Sequence, residues 1–176
     1  MNDIIERARD IITGYDGPKV RIMEVCGTHT HEIFRLGIRS LLPETIDLIS
    51  GPGCPVCVTP VGFIDEAIYL ATEKNCLITT FGDLIKVPGT EMNLAKARAN
   101  GAKIRPVYSP DDAVEIAREN PSEEVVFLSV GFETTTPSSC LAVKKAKDLG
   151  LKNFSILTAN KSMPNAYLKL KGSADA

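Results

Sequence analysis

The most distinctive reactive residues are Cys54 and Cys57, two thiols three positions apart. Thiols at this spacing can close a small disulfide, and a helix that starts just after them stabilises the nucleophilic thiolate. Half of a structural zinc site and simple packing are the alternatives. Two other cysteines, Cys76 and Cys140, have apolar neighbours, and we expect both to be buried. Residues that favour a loop of fixed shape flank the CxxC pair: Gly51, Pro52, Gly53 and Pro60.

A second candidate site begins at Cys26 and includes both histidines of the chain, His29 and His31, followed by Glu32. A thiolate, two imidazoles and a carboxylate this close together can bind a soft metal or support nucleophilic chemistry. In a helix, residues two apart point in different directions, so both histidines face one ligand only in a turn or a helix entrance. The alternative is a buried cysteine followed by two surface histidines at a helix start.

A third candidate site is the segment 131–137, which contains Glu133 and the consecutive threonines Thr134, Thr135 and Thr136. A carboxylate, three hydroxyls and the N–H groups of a helix start can bind an anion or a phosphate, with Thr134 and Thr135 as the contacts. The P-loop pattern is absent, so this is not a P-loop. A threonine-rich helix cap explains the pattern equally well.

These segments follow apolar runs that predict six β-strands. Helical signals lie between the runs: an apolar stripe from Ile4 to Ile12, helix starts at Ser109 and Thr136, and a helix end near Gly150. The predicted strands are Val20 to Val25, Ile46 to Ser50, Cys76 to Thr80, Lys103 to Tyr108, Val125 to Val130 and Phe154 to Thr158.

The strands are apolar without alternation and are separated by helices. This pattern predicts an α/β fold, with mostly parallel sheet(s) from about six β-α units and helices on both faces. The carboxyl ends of parallel strands line the ligand crevice of such folds, so we expect the candidate loops to share one edge. We divide the chain into residues 1–108, with the first two loops, and 109–176, with the third.

Composition excludes several function classes. The chain has 176 residues and a net charge of −2, so no broad nucleic-acid surface is expected. It has no apolar run long enough to span a membrane and no signal-like start, which predicts a cytoplasmic protein. Five cysteines are too few for a secreted disulfide scaffold.

Taken together, the three loops resemble the HypD family of hydrogenase maturation factors. The matching segments are CGTHTHE at 26–32, GPGCPVCVTP at 51–60 and GFETTTP at 131–137. The resemblance implies a scaffold, more than a turnover enzyme, on which the Fe(CN)2CO part of the nickel–iron hydrogenase centre is assembled. It implies HypC, a small chaperone, and HypE, a cyanide donor, as partners.

The resemblance also assigns roles to residues. Cys26 would be the iron-ligating thiolate, paired with a cysteine of HypC. Cys54 and Cys57 would be the dithiol/disulfide pair that handles electrons. The remaining implied residues of the same cleft are His29, His31 and Glu133. Thiolate suits low-spin iron with strong-field ligands, and a nearby dithiol stores two electrons.

The chain departs from the family pattern in two places. The family carries C-terminal cysteines that bind a [4Fe-4S] cluster, and those ligands are absent from this sequence. The resemblance also predicts a histidine near Lys161, where this chain has Asn160. Two alternatives therefore stay open: a stand-alone thiol–disulfide oxidoreductase that uses Cys54 and Cys57, and a zinc-stabilised binding module. The zinc module would use Cys26, His29, Cys54 and Cys57.

Overall fold

A computed structural model describes residues 2–173 and confirms the α/β class with parallel sheets. Contacts divide the chain into two units, Met1–Cys54 and Pro55–Ala176. This division differs from the one expected after residue 108, because strands on both sides of that position pair in one sheet. Local sequence patterns do not reveal such pairing. None of the described helices is long and apolar enough to cross a membrane.

The first unit contains a two-stranded parallel sheet. Its strands, β1 and β2, pair from Val20 opposite Ile46 to Glu24 opposite Ser50. Because parallel strands run in the same direction, the loops that follow Glu24 and Ser50 start side by side. The elements in chain order are α1 (Asn2–Thr13), β1 (Val20–Glu24), α2 (Gly27–Arg35), a 3₁₀ turn (Ile38–Leu41) and β2 (Ile46–Ser50).

The second unit contains a four-stranded sheet in the order β4-β3-β5-β6, and every pair is parallel. A 3₁₀ turn follows β3. The elements in chain order are α3 (Val61–Thr72), β3 (Leu77–Thr80), the 3₁₀ turn (Gly82–Lys86), α4 (Leu94–Ala99), β4 (Ile104–Pro106), α5 (Pro110–Glu119), β5 (Val125–Ser129), α6 (Thr136–Asp148), β6 (Phe154–Thr158) and α7 (Pro164–Ser173).

The core of the second unit lies on both faces of its sheet. Val126 and Leu128 of β5 belong to the buried cluster that includes residues of α3 and α4. Val125 and Phe127 belong to the cluster that includes residues of α5. Successive strand residues point to opposite faces, so helices cover both sides, as the unbroken apolar run predicts. Over both units, the six strands lie where the sequence predicts them.

The strand order creates a topological switch in this sheet. The chain passes from β3 to β4 on one side and then returns to β5 on the other side of β3. In open α/β sheets, ligands bind at the carboxyl ends of the strands where the order reverses. The loops after β3 and β5 therefore occupy the position where such folds bind ligands.

The predicted helix boundaries are also confirmed. Ser109 Oγ accepts the Asp112 N–H, and the Asp112 carboxylate accepts the Ser109 N–H, which forms a capping box before α5. Beyond α6, Gly150 has a positive φ of 71°. Glycine adopts this conformation without strain, which explains why the helix ends there.

Asn153, before β6, fastens the segment that joins α5 to β5. Its buried Nδ2 donates to the carbonyls of Ala117, Asn120 and Glu123 at 2.9, 3.0 and 2.9 Å. An amide nitrogen has two hydrogens, so the three acceptors share them. One side chain therefore stabilises the helix end and the turn after it.

The two remaining cysteines differ in burial. Cys76 is buried, as expected, and burial raises the pKa of its thiol, with Glu124 adding to the effect. The expectation that Cys140 is buried is wrong, because this residue is exposed. The buried residues of α6 are Ser139, Ala142 and Ala146, whose spacing defines one helix face, and Cys140 lies off that face.

Candidate functional site

Cys26 lies at the turn between β1 and α2, as the N-cap residue of the helix. Its backbone is extended, with φ −146° and ψ 124°, and its side chain makes no capping hydrogen bond. The Cys26 carbonyl accepts the Thr30 N–H at 2.9 Å. The Cys26 N–H donates to Glu24 Oε2 at 3.2 Å. Both backbone polar groups of this partly buried cysteine are therefore engaged, and the thiol is left for other chemistry.

Glu24 is a part of this site that the sequence interpretation missed. Its second carboxylate oxygen accepts the Thr30 hydroxyl. That bond is the main reason that the pKa of Glu24 lies below its ordinary value; partial burial opposes the shift, and the Cys26 N–H adds to it. The sequence does carry a signal for Glu24. It lies two residues before the helix-capping cysteine, and a threonine follows that cysteine by four residues.

The two histidines lie in α2 and not in a turn. Both are exposed, and helix geometry turns His31 by about 200° from His29 around the axis. His31 Nδ1 lies 3.5 Å from Glu32 Oε1. The Glu32 carboxylate also binds Arg35 at 2.6 Å, which is the main cause of its lowered pKa. His29 is the closer to the Cys26 turn in sequence, and its charge contributes to the lowered pKa of Glu24.

The loop after β2 packs against the Cys26 turn. The Gly51 N–H donates to the Glu24 carbonyl at 2.7 Å. A Cβ atom at Gly53 would lie 1.3 Å from the Val25 carbonyl oxygen, so only glycine allows this backbone approach. The approach places Cys54 beside the start of α2: its Cβ lies 4.0 Å from the position of a Cβ at Gly27. The structure therefore brings the Cys26 turn and Cys54 together.

Cys57 lies in the second unit, in the turn that precedes α3. Thr59 closes this turn, since its N–H donates to the Val56 carbonyl and its hydroxyl to the Pro55 carbonyl, at 3.2 and 2.9 Å. Cys57 is exposed, whereas Val56 packs against the core of the unit. The predicted order of turn and helix is confirmed, with Pro60 as the N-cap of α3.

Glu133, in the loop after β5, is held by the segment that precedes α7. Glu133 Oε1 accepts the Met163 N–H at 2.9 Å. The pKa of Glu133 is lowered by its own backbone N–H first and by the Met163 N–H second. The exposed side chains of Thr134 and Thr135 lie next to it at the start of α6. This arrangement fits both interpretations of the segment, an anion contact and a helix start.

Asn160 was noted in the sequence only as a departure from the family pattern, and its structural role was missed. Its Oδ1 accepts the hydroxyls of Ser129 and Thr158 at 2.7 and 2.8 Å, and its Nδ2 donates to Thr136 Oγ1 at 2.8 Å. It thus ties the ends of β5 and β6 to the first residue of α6. An asparagine in a loop is too common to attract notice without these contacts.

The candidate ligands do not form a complete metal site by themselves. Within residues 2–173, no group of three or more His, Cys, Asp and Glu side chains could hold a metal ion. The zinc-module alternative, which needs Cys26, His29, Cys54 and Cys57 to converge, stays a prediction.

Comparison with known proteins places these residues in a family. The HypD family model, described as the hydrogenase formation hypA family, matches residues 1–175. A hydrogenase maturation factor HypD from Rhodobacter capsulatus is 47% identical over 96% of this chain and 47% of its own length. The HypD of Escherichia coli is 48% identical over 85% of the chain and 40% of its own length.

A third relative is the hydrogenase expression/formation protein HupD of Azotobacter chroococcum, 48% identical over 89% of the chain and 41% of its own length. The chain therefore spans half or less of the length of the curated relatives that it matches.

Proposed function

Because the chain belongs to the HypD family, we propose that it acts in hydrogenase maturation as an assembly scaffold. In this proposal, the scaffold works in the cytoplasm and holds iron as Fe(CN)2CO, the part of the nickel–iron centre that is built before transfer. Iron is the cargo of the reaction.

The observation that carries the proposal is the geometry around Cys26. Both backbone polar groups of this residue are hydrogen-bonded, and the loop that carries Cys54 packs directly on its turn. A thiolate on a fixed backbone can take up a soft metal without reorganising the chain. In this proposal, the other ligands of the iron are cyanide, carbonyl and a thiolate from a partner.

Cys54 and Cys57 supply the redox part of the proposal. Oxidation of two thiols to one disulfide releases two electrons and two protons, and reduction reverses it. Cys54 ends the first unit beside the Cys26 turn, and Cys57 is exposed three residues later. The dithiol would deliver its electrons to the assembly step or receive them from it.

The partners follow from the same reasoning. A HypC-like chaperone would bring the second thiolate, and a HypE-like protein would deliver cyanide. Phe34 of α2 and Leu36, its C-cap residue, are 70% and 55% exposed, which suits a docking surface close in sequence to the site. His29 and His31 of α2 are proposed as further site residues of the first unit, and Glu133, Thr134 and Thr135 as those of the second unit.

Infrared spectroscopy tests the proposal. The chain is purified anaerobically with a HypC-like partner, and the cyanide and carbonyl stretching region is recorded for the wild type, Cys26→Ala and Cys140→Ala. We expect bands in the wild type and in Cys140→Ala, which changes an exposed cysteine elsewhere, and none in Cys26→Ala. The counterpart substitutions in the full-length Rhodobacter capsulatus relative extend the test to a longer chain. Bands that survive loss of Cys26 in both proteins would refute its role.

A second candidate function is favoured by the exposure of Cys57 in its turn. An accessible thiol three residues from another is the arrangement of a thiol–disulfide oxidoreductase that attacks external disulfides. Reduction of a model disulfide by the iron-free protein tests this function. Stoichiometric reduction of one disulfide per reduced dithiol, lost in Cys57→Ser, would support it, and no reduction by the fully reduced protein would exclude it.

A further inference from the structure

Glu24 contacts all three segments that surround the candidate thiols of the first unit. One carboxylate oxygen accepts the Cys26 N–H at 3.2 Å, and the other accepts the Thr30 hydroxyl. Its backbone carbonyl accepts the Gly51 N–H at 2.7 Å. One residue therefore joins the strand-to-helix turn, the first turn of α2 and the loop that leads to Cys54.

These contacts restrict the conformation of Cys26. The carboxylate of Glu24 holds the N–H of Cys26, and Thr30 holds the carbonyl of Cys26 through its own N–H at 2.9 Å. The Thr30 hydroxyl also lies 3.2 Å from that carbonyl, but its single hydrogen can serve only one strong acceptor. A carboxylate is a stronger acceptor than a backbone carbonyl, so the hydroxyl chiefly ties α2 to Glu24. With both dihedral angles held, the direction of the Cα–Cβ bond of Cys26 is also held.

We infer that Glu24 is a positioning residue, whose carboxylate fixes the Cys26 turn relative to Cys54. The inference rests on the proposed function, since that function gives the two thiols a common task. A carboxylate suits this position because it accepts two hydrogen bonds through two oxygens. Glutamine keeps one acceptor oxygen, and alanine keeps none.

The test uses a reporter disulfide and no metal. In Gly27→Cys, the new Cβ is placed 4.0 Å from the Cβ of Cys54, within the range of disulfide geometry. The reporter is made with Cys26→Ser and Cys57→Ser, and its equilibrium with glutathione gives the effective molarity of the pair. Glu24→Ala, Glu24→Gln and Thr30→Val are then compared with Glu6→Ala, a control at an exposed glutamate of α1.

We expect Glu24→Ala to lower the effective molarity by about tenfold, the lower end of the effect of residues that orient a ligand. Glu24→Gln and Thr30→Val each lose one hydrogen bond and should fall by about threefold, and Glu6→Ala should not change. Circular dichroism checks that each variant folds; if Glu24→Ala does not fold, Glu24→Gln and Thr30→Val decide the question.

Two results would overturn the inference. One is an effective molarity in the Glu24 variants equal to that of Glu6→Ala. The other is a fall in Glu24→Gln as large as that in Glu24→Ala, because the retained acceptor would then have no effect. The proposed function fails separately, if the wild-type chain carries no iron, and that result leaves the disulfide measurement intact.

Discussion

The contact between the Cys26 turn and the Cys54 loop predicts that Gly27→Cys forms a disulfide with Cys54. The two Cβ atoms would be 4.0 Å apart, and disulfides in proteins have Cβ separations of about 3.5–4.5 Å. Gly27 does not have a positive φ, so a side chain is tolerated there. Cys26→Ser and Cys57→Ser are included, because those thiols would otherwise compete for Cys54.

The expected stabilisation follows from the length of chain that the disulfide closes. Residues 27–54 form a loop of 28 residues. In the chain-entropy model, closing a loop of this length removes about 12 cal/mol/K from the unfolded state, or about 3.6 kcal/mol at 25 °C. Strain in the native state lowers this figure, so we expect the free energy of unfolding to rise by about 2–4 kcal/mol.

The assay combines mass spectrometry with denaturation. Alkylation under non-reducing conditions shows whether the two thiols are consumed, and guanidinium unfolding with and without dithiothreitol gives the stabilisation. Gly62→Cys in α3 is the matched control, since a Cβ there meets nothing within 4 Å. A folded Gly27→Cys protein with both thiols reduced in an oxidising buffer would refute the proposed contact, and so would a disulfide that destabilises the chain.

Three further substitutions test other contacts. In Gly53→Ala, the new Cβ would lie 1.3 Å from the Val25 carbonyl oxygen, so the two backbone segments must move apart, at a cost of about 1–3 kcal/mol of unfolding free energy. Gly62→Ala is its control and should change the unfolding free energy by less than about 1 kcal/mol. Asn153→Ala removes the Nδ2 donor from three carbonyls, of which that of Asn120 keeps the Glu123 N–H, and should cost about 1–3 kcal/mol. Asp65→Asn weakens the bonds from the Thr90 hydroxyl and N–H, which lower the pKa of Asp65 in that order. The stability that Asp65 adds is present above about pH 4 and is lost as pH falls through its lower folded pKa, so wild type and Asp65→Asn should converge in acid.

Each of these substitutions has a result that would contradict it. Equal unfolding curves for the two glycine variants would show that the Gly53 backbone does not lie on the Val25 carbonyl. An Asn153→Ala protein as stable as the wild type would mean that the Asn153 side chain does not stabilise the turn after α5. For Asp65, a constant difference between the wild type and the asparagine variant from pH 7 to pH 3 would show that its ionisation does not support the fold.

The strands and helix ends could be predicted because their causes are local. The apolar run at β5 is unbroken because both of its faces are covered, and the capping pair Ser109 and Asp112 lies within four residues. The boundary between the units depends on which strands pair, and the pairing of β3 with β5 joins residues nearly 50 positions apart. The exposure of Cys140 depends on which face of α6 meets the sheet, which its immediate neighbours do not reveal.

Part of the candidate site could also be predicted, because its reactive residues are recognisable from the local sequence. Cys26 and Cys54 stand beside glycines, and Cys57 lies three positions after Cys54, so the sequence alone draws attention to these thiols. Glu24 and Asn160 are ordinary residue types whose importance comes from contacts with Thr30, Ser129 and other side chains. Only the folded chain shows that they hold the loops on which the reactive residues lie.

The most direct test of the central claim is the amount of iron bound per chain after anaerobic purification with the small partner, measured for wild type, Cys26→Ala and Cys140→Ala. The account predicts stoichiometric iron in the wild type and in Cys140→Ala, and a loss of iron in Cys26→Ala with the fold intact by circular dichroism. Equal iron in all three proteins would contradict the claim that Cys26 binds the metal.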